Sequence, residues 1–210
     1  MRKLFKNIGG LGIEYLMEHY RILGVLGAVI AYPFIAISIV LTPWFNFYSN
    51  ALSDLGNIAR NAPVAYVFNF GLILSGFLVA LFALLTSLKH RSWKYLSWSV
   101  LLIVAGIDLA LIGVFSEDAG RLHGLVSIVF FILIIIVMLA YSFCSWVLGT
   151  PVAGVFALVF SIASATVWTV EWGWDGVAIQ ETVTSLMTAI WLVMVSMQKF
   201  DKIKPVETEV

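Results

Sequence analysis

The chain has 210 residues, of which 61% are hydrophobic and 11% are charged, and its formal net charge is zero. A soluble domain carries about 25% charged residues, so this composition excludes an ordinary soluble protein. It also excludes nucleic acid as a partner, because no basic excess is available to replace the counterions of phosphate groups.

Six apolar runs follow one another along the chain. A helical span needs about 20 predominantly apolar residues to cross ~30 Å of hydrocarbon. The strands of a β-barrel would alternate apolar and polar positions, whereas 130–140 reads FFILIIIVMLA. We therefore predict an all-α fold, a polytopic bundle of six transmembrane helices in one domain. The predicted spans are 22–41, 63–88, 95–115, 122–148, 151–170 and 178–198.

Basic residues are concentrated on one side of this threading. Lys and Arg favour the cytoplasmic side of short loops. Ten of the twelve fall on the side of the termini, and only Arg60 and Arg121 fall on the other. We predict a multi-pass cell-membrane protein with both termini in the cytoplasm. Residues 1–21 would be a cytoplasmic or interfacial segment, 22–198 the transmembrane domain, and 199–210 a disordered cytoplasmic tail.

Two local features of the spans carry further predictions. Pro33 lies inside the first span and predicts a kink, because a proline leaves one helical carbonyl without its donor. Tryptophans near the predicted span ends, Trp98 among them, are expected to form the aromatic belts at the two membrane interfaces.

The longest connection is 42–62, between the first and second spans, on the predicted outer side. Its sequence, TPWFNFYSNALSDLGNIARNA, contains Ser53 and Asp54. Two interpretations stay open. The segment is an ordinary interfacial helix, or it places Ser53 and Asp54 over the bundle as part of a site.

Asp108 is an ionisable residue inside the third span. It lies seven residues before Phe115, about 10 Å below the outer end at 1.5 Å per residue. A charged carboxylate at that depth costs several kcal/mol unless it is paired or hydrated, so its default interpretation is functional. A hydrogen-bonded Asp that holds two helices together is the alternative.

The third connection, 116–121, carries acidic residues and leads directly into His123. Glu117 and Asp118 precede the histidine, and Ser127 lies one helical turn beyond it on the same face. An Asp five residues before a His, across a tight turn, can place a carboxylate beside the imidazole. Three interpretations stay open: a metal site, an orienting pair for a general base, and an interfacial ion pair.

A metal site would draw on His123, Asp118 and Asp54. One imidazole among oxygen ligands suits a hard divalent cation such as Mg, Ca or Mn better than a structural zinc ion. The divalent metal ion is therefore the one cofactor that the sequence suggests.

Polar residues also recur at helical spacing near the end of the fifth span and along the sixth. Such a stripe should point into the bundle or into a water-filled cavity. Hydrogen bonding between helices is the alternative for the Thr and Ser members. The stripes are Trp168, Glu171, Trp172 and Asp175, then Glu181, Thr184, Ser185 and Thr188.

All of these acidic residues and His123 fall in the outer half of the threaded chain, whereas the cytoplasmic halves of the spans contain no Asp, Glu, His, Lys or Arg. The sequence therefore predicts an outward-facing polar pocket with an apolar floor. Its candidate catalytic residues are His123, Asp108, Asp118, Asp54 and Ser53. Its candidate binding residues are Glu117, Glu171, Asp175, Glu181, Ser127 and Arg121.

Two motifs in these connections resemble those of a known family. Ser53-Asp54-Leu55-Gly56 resembles a pattern of a six-span family of archaeal and bacterial membrane proteins, catalogued as the domain of unknown function numbered 998. Gly113-Val114-Phe115, followed by Asp118 and His123-Gly124, is similar to that family's second hallmark. Ser116 stands where a proline usually follows the Phe.

The resemblance spans most of residues 20–198. It implies a six-helix fold with motif positions at Asp54, Asp118 and His123, and it implies no established activity. The family is also distantly similar to multi-span proteins of the Frag, DRAM and Sfk type, some of which are linked to lipid organisation; that link is an analogy between folds.

Three functions compete at this point. The first is an outer-leaflet protein that binds or processes a lipid-like amphiphile, as a metal-assisted hydrolase or transferase if it is an enzyme at all. The second is a non-catalytic membrane subunit or sensor, with a protein partner or as a homo-oligomer. The third is a transporter or a proton pathway through Asp108, Glu181 and His123, although the apolar inner half and the missing internal repeat count against it.

Overall fold

The computed structural model describes residues 17–197, and this part of the chain is helical with no β-strand. It confirms the predicted all-α bundle of six helices, each long and apolar enough to cross a membrane, and every boundary lies within two residues of its prediction. Residues 1–16 and 198–210 lie outside the described residues, and with them the tail 199–210 for which the sequence predicts disorder. The six spans are Arg21–Val40, Val64–Lys89, Trp93–Val114, Arg121–Val147, Pro151–Thr169 and Ala178–Ser196.

The first span consists of two helices, Arg21–Val29 and Ala31–Val40, which meet at Ile30. Pro33 in the second helix has no backbone N–H to donate to the carbonyl of the preceding turn. Interruptions of a helix are typical just before such a proline. The irregularity that the sequence predicts at Pro33 is therefore present one turn before the proline itself.

The spans form a ring in which each packs against its neighbours in the sequence and the sixth packs against the first. The second and third spans approach closely at Gly76 and Gly106, where an added Cβ would overlap the backbone of the facing helix. Small residues at such a crossing let two helix backbones come together in a membrane. The ring is therefore closed by direct contact between helices.

Aromatic side chains fill one end of the bundle. Trp98, Tyr141 and Trp191 make edge-to-face contacts there, with centroids 5.4 Å apart for Trp98–Tyr141 and for Tyr141–Trp191. Trp98 is 2% exposed, so the expectation that it lies in an interfacial belt is wrong. Its ring turns inward because Tyr141 and Trp191 offer it aromatic edges.

The bundle has two different ends. The loop end holds the connections 41–63, 115–120 and 170–177, and the terminal end holds the short connections 90–92 and 148–150. At the loop end the connections are joined by backbone hydrogen bonds. The carbonyl of Asn50 accepts bonds from the N–H groups of Val177 (3.1 Å) and Ala178 (2.9 Å), and that of Tyr48 accepts one from Gly176 (2.8 Å). These bonds place the long first loop across the start of the sixth span.

Candidate functional site

The first loop contributes a 3₁₀ turn, Leu52–Gly56, which lies against the ends of the spans. Asp54 stabilises this turn from within. Its Oδ2 accepts hydrogen bonds from Asn50 Nδ2 (2.9 Å) and from the backbone N–H of Ala51 (3.0 Å). Acidic side chains at the start of a helical turn satisfy free N–H groups in this way. The structure therefore gives Asp54 a capping role and does not bring it to His123 through a hydrogen bond.

Two buried asparagines fix the same turn from the bundle side. Asn61 Nδ2 donates to the carbonyl of Leu55, and Asn69 Nδ2 donates to the carbonyl of Gly56, both at 2.9 Å. The amides thereby satisfy carbonyls that the short turn leaves without backbone donors. Neither asparagine was a candidate from the sequence, although Asn69 is a polar residue inside an apolar span, and that is the signal that could have identified it.

His123 lies in the first turn of the fourth span and is 5% exposed. Its Nδ1 donates to the carbonyl of Phe115 at 2.7 Å. Its Nε2 forms an ion pair with Glu117 Oε2 at 2.8 Å and lies 3.2 Å from Ser127 Oγ. Because a carbonyl and a carboxylate face the two ring nitrogens, the arrangement suits the doubly protonated imidazolium. Of the three interpretations left open for His123, the geometry is that of an ion pair, with Glu117 rather than Asp118 as the partner.

Glu117 is half-buried in the connection that precedes His123. Burial by itself would raise the pKa of this carboxyl, but the ion pair with His123 and a hydrogen bond from the Ser53 hydroxyl outweigh it, so that the pKa lies below its usual value. Glu117 is therefore a carboxylate at neutral pH. It also joins the first loop, through Ser53, to the fourth span, through His123.

Asp118 is exposed and has different partners from those the sequence suggested. Its Oδ1 accepts hydrogen bonds from the backbone N–H of Ile58 (2.9 Å) and from Ser116 Oγ (2.8 Å). These two donors, with Ile58 the stronger, lower the pKa of the Asp118 carboxyl. The residue ties the third connection to the first loop and makes no hydrogen bond to the histidine.

Glu181 lies in the first turn of the sixth span and is 8% exposed. Its Oε2 accepts a hydrogen bond from the backbone N–H of Leu52 at 2.5 Å. Among residues 17–197, that N–H is the one hydrogen-bond donor to this carboxyl. The group also interacts electrostatically with Glu117, His123 and Asp54. A buried carboxyl thus lies directly beneath the 3₁₀ turn.

A cavity of about 120 Å³ runs down the bundle from this point. The first, second, third, fourth and sixth spans line it together with the 3₁₀ turn, and most of its wall is apolar. Along the sixth span it extends from Glu181 to Leu192, about 16 Å at 1.5 Å per residue. Its polar lining residues are Tyr32, Ser53, Ser75, Ser127, Glu181, Ser185 and Thr188.

Ser53, Ser127 and Glu181 thus belong both to the cavity wall and to the polar cluster at the loop end. We call Ser53, Glu117, His123, Ser127 and Glu181 the head cluster, since they form the polar head of an otherwise apolar cavity. The polar stripe of the sixth span faces this space as the sequence predicts, with Glu181, Ser185 and Thr188 in the wall.

Besides Asp54 and Asp118, four candidate residues lie apart from the head cluster. Arg121, Glu171 and Asp175 are exposed. The fifth helix ends at Thr169, so the helical face predicted through Asp175 is absent because the chain leaves the helix two residues before Glu171. Asp108 is buried, makes no hydrogen bond within residues 17–197, and is not part of the cavity wall.

The metal site suggested by the sequence is not assembled in the part of the chain that the structure describes. No group of three or more His, Cys, Asp or Glu side chains there is placed to hold a metal ion. Asp54 accepts from the backbone N–H of Ala51 in its own loop, Asp118 accepts from that of Ile58 in the first loop, and His123 is paired with Glu117. The three candidate ligands therefore serve separate contacts.

Comparison with protein families places most of the chain in a known family. The model of a family described as "protein of unknown function (DUF998)" matches residues 25–198. No curated protein and no solved structure matches the chain. The match begins at residue 25, inside the first span, and covers the other five spans and both loops that supply the head cluster, so the cluster lies within the shared region.

Proposed function

The chain belongs to the DUF998 family of proteins of unknown function, and from this premise we propose that it is an integral membrane protein whose loop end binds an amphiphile with a single apolar chain. The observation that carries the proposal is the continuity between the cavity and the head cluster. Ser53, Ser127 and Glu181 close one end of a space whose remaining wall is almost entirely apolar. A ligand that fits must be polar at one end and apolar along its length.

The shape of the cavity supports a single chain. Pockets for drug-sized ligands measure about 300–1,000 Å³, and an engineered cavity of about 150 Å³ holds one benzene. A volume of about 120 Å³ spread over the length from Glu181 to Leu192 is therefore narrow. That length, about 16 Å, is close to half of the ~30 Å hydrocarbon thickness. One alkyl or acyl chain from one leaflet matches this length. Because the volume is below that of the cavity that holds one benzene, such a chain would have to push apart the apolar side chains of the wall as it enters.

The distribution of basic residues supports an orientation. Ten of the twelve Lys and Arg fall on the side of the termini in the sequence, and the positive-inside rule assigns that side to the cytoplasm. We place the loop end, and with it the head cluster, on the opposite side. The amphiphile would then come from the outer leaflet.

Binding is supported better than hydrolysis by the state of His123. A general base for Ser127 would need a free lone pair on Nε2, which lies 3.2 Å from the serine hydroxyl. That nitrogen is paired with Glu117 at 2.8 Å, while Nδ1 already donates to Phe115. When both ring nitrogens carry protons, as the carbonyl and the carboxylate beside them favour, His123 organises the head cluster and has no lone pair with which to accept a proton.

Native mass spectrometry of the purified protein released from lipid nanodiscs tests this proposal, because it counts bound amphiphiles as mass adducts. Single-chain amphiphiles of matched length should give one adduct, and two-chain phospholipids should give none that survives in competition. Ala105→Leu and Ala189→Leu add side-chain volume to the cavity wall and should abolish the adduct.

Ala36→Leu is the matched control, because Ala36 is exposed on the outside of the first span. This variant should keep the adduct. The proposal fails if the two cavity variants, shown to be folded by their circular dichroism and thermal unfolding, bind as well as the unmodified protein does.

A further inference from the structure

The carboxyl of Glu181 has one oxygen left for a ligand. Its Oε2 accepts the Leu52 N–H, and within residues 17–197 no group donates a hydrogen bond to Oε1. The side chain is 8% exposed and lines the cavity at its polar end. Buried carboxylate oxygens are normally satisfied by donors. A group that enters the cavity beside Glu181 and carries a donor would satisfy this one.

The charges around Glu181 favour a cation over an anion. Glu117, Asp54 and His123 interact electrostatically with it, and two of these three are acidic. The positive charge of His123 is already shared with Glu117 in the ion pair. Among nearby basic residues of the described part, the Arg60 guanidinium stacks on the Trp44 ring at 3.7 Å and Arg121 is exposed. The ionisable groups that interact with Glu181 are thus mostly acidic, which disfavours a negative head group.

From these contacts we propose that the amphiphile carries a primary ammonium head, which donates a hydrogen bond to Glu181 Oε1 while its apolar chain lies in the cavity. The proposal rests on the proposed function, of which it names the ligand class. An ammonium combines positive charge with three N–H donors in a compact group. A trimethylammonium head would supply the charge without a donor, and an alcohol would supply a donor without the charge.

Four probes with the same twelve-carbon saturated chain separate these contributions: the primary amine, the trimethylammonium, the alcohol and the carboxylate. Competition between them at neutral pH, where the amine is protonated, is measured by native mass spectrometry. The amine should bind tightest and should exceed the carboxylate by about tenfold or more, the size expected of one charge-assisted hydrogen bond.

Glu181→Gln should remove about tenfold of amine affinity and leave alcohol affinity unchanged, since the Gln carbonyl still accepts the Leu52 N–H. Alcohol binding by the same variant shows that its cavity is intact. Glu171→Gln removes an equal charge from an exposed position at the same end and should change neither affinity. An amine affinity that survives Glu181→Gln, or a carboxylate that binds tightest, overturns the ammonium assignment.

The two proposals fail differently. If the four probes bind equally and Ala105→Leu blocks all of them, the ammonium assignment falls and the single-chain cavity stands. If no probe binds, or if Ala105→Leu leaves the affinity of every probe unchanged, both the proposed function and the ammonium assignment are wrong.

Discussion

Glu181 at the start of the sixth span accepts a hydrogen bond from the backbone N–H of Leu52, a residue 129 positions earlier in the chain. The bond holds the 3₁₀ turn Leu52–Gly56 over the end of the bundle, where the carbonyl of Asn50 also accepts from Ala178. The first loop is thus fixed to the sixth span at the polar end of the cavity. The position of the first loop, and with it that of Ser53, therefore depends on the Glu181 carboxyl, which also lines the cavity.

Removing this acceptor should loosen the loop. In Glu181→Leu the Leu52 N–H is buried without a partner, which should lower the free energy of unfolding by about 1–3 kcal/mol. Hydrogen exchange of peptides that cover 50–56 should be faster, because local opening costs less. Glu181→Gln keeps an acceptor and should retain most of the protection. Equal protection in the Leu and Gln variants would show that the loop is held by its other bonds alone.

Because Glu117 and His123 form an ion pair, we expect the free energy of unfolding to fall as the pH is lowered into the acid range, and we call this fall the acid limb. The folded pKa of Glu117 lies below its usual value of 4.5, so the folded state favours the carboxylate. This contribution to stability is complete above pH 4.5 and is lost as the pH falls through the lowered pKa of the folded state. Thermal unfolding between neutral pH and about pH 3 should therefore show a steeper fall in the unmodified protein than in Glu117→Gln.

Glu171→Gln is the control for this pH series, because it removes an exposed carboxyl from the same end of the bundle. Its acid limb should match that of the unmodified protein. If Glu117→Gln leaves the limb unchanged as well, the ion pair contributes nothing to folding, and the acid sensitivity belongs to other carboxyls such as Asp118, whose pKa is also lowered.

The six spans could be predicted from the sequence because membrane insertion depends on hydropathy summed over about 20 residues, which tolerates local errors. Single side chains are not summed in this way. Trp98 lies near a span end as belt residues do, yet it turns inward onto Tyr141. The choice between interface and core depends on neighbours from another span, and the linear sequence does not supply them.

The head cluster could be predicted in part. The sequence indicates that Asp118, five residues before His123, can place its carboxylate beside the imidazole, but the adjacent Glu117 takes that place. The short 3₁₀ turn Glu117–Ala119 and the positive φ of Gly120, +58°, decide which of them faces the ring. Glycine reaches that backbone region without strain. Turn geometry of this kind is set by contacts with the first loop, including the Asp118–Ile58 bond.

The two polar stripes could also be predicted only in part, because helical spacing in the sequence does not show where a helix ends. The stripe of the sixth span lines the cavity because the helix continues from Ala178 to Ser196. The stripe through Glu171 assumes a helix that in fact ends at Thr169. Of the stripe through Glu171, only Trp168 meets a polar partner inside the bundle: its indole N–H donates to Thr184 Oγ1 at 3.1 Å.

This Trp168–Thr184 hydrogen bond should join the fifth and sixth spans. Thr184 is fully buried, so Thr184→Val preserves its volume and leaves the indole N–H without an acceptor. A double-mutant cycle with Trp168→Phe should give a coupling of about 0.6 kcal/mol, the average for hydrogen bonds between membrane helices. Unfolding in mixed micelles followed by circular dichroism provides the four free energies.

Thr188→Val is the control for that cycle, since the Thr188 hydroxyl donates to the carbonyl of Thr184 within its own helix. Paired with Trp168→Phe, it should show no coupling. A coupling equal to that of Thr184 would mean that the cycle reports general loosening of the sixth span, and the inter-span bond would lose its support.

Asp108 is expected to be functional because of its depth in the membrane, but the structure places it outside the cavity wall. It is 6% exposed, and its Oδ2 has no hydrogen-bond partner within residues 17–197, which destabilises the folded state without serving the cavity. Asp108→Leu should therefore raise the free energy of unfolding by about 1–3 kcal/mol and leave amphiphile binding unchanged, whereas Asp175→Leu at an exposed position should change stability by no more than about 0.5 kcal/mol. Micelle unfolding and the adduct count measure both quantities on the same samples. Weaker amphiphile binding by Asp108→Leu would contradict this prediction. It would show that Asp108 contributes to the site, as its depth in the third span suggests, and that it influences the head cluster without touching it.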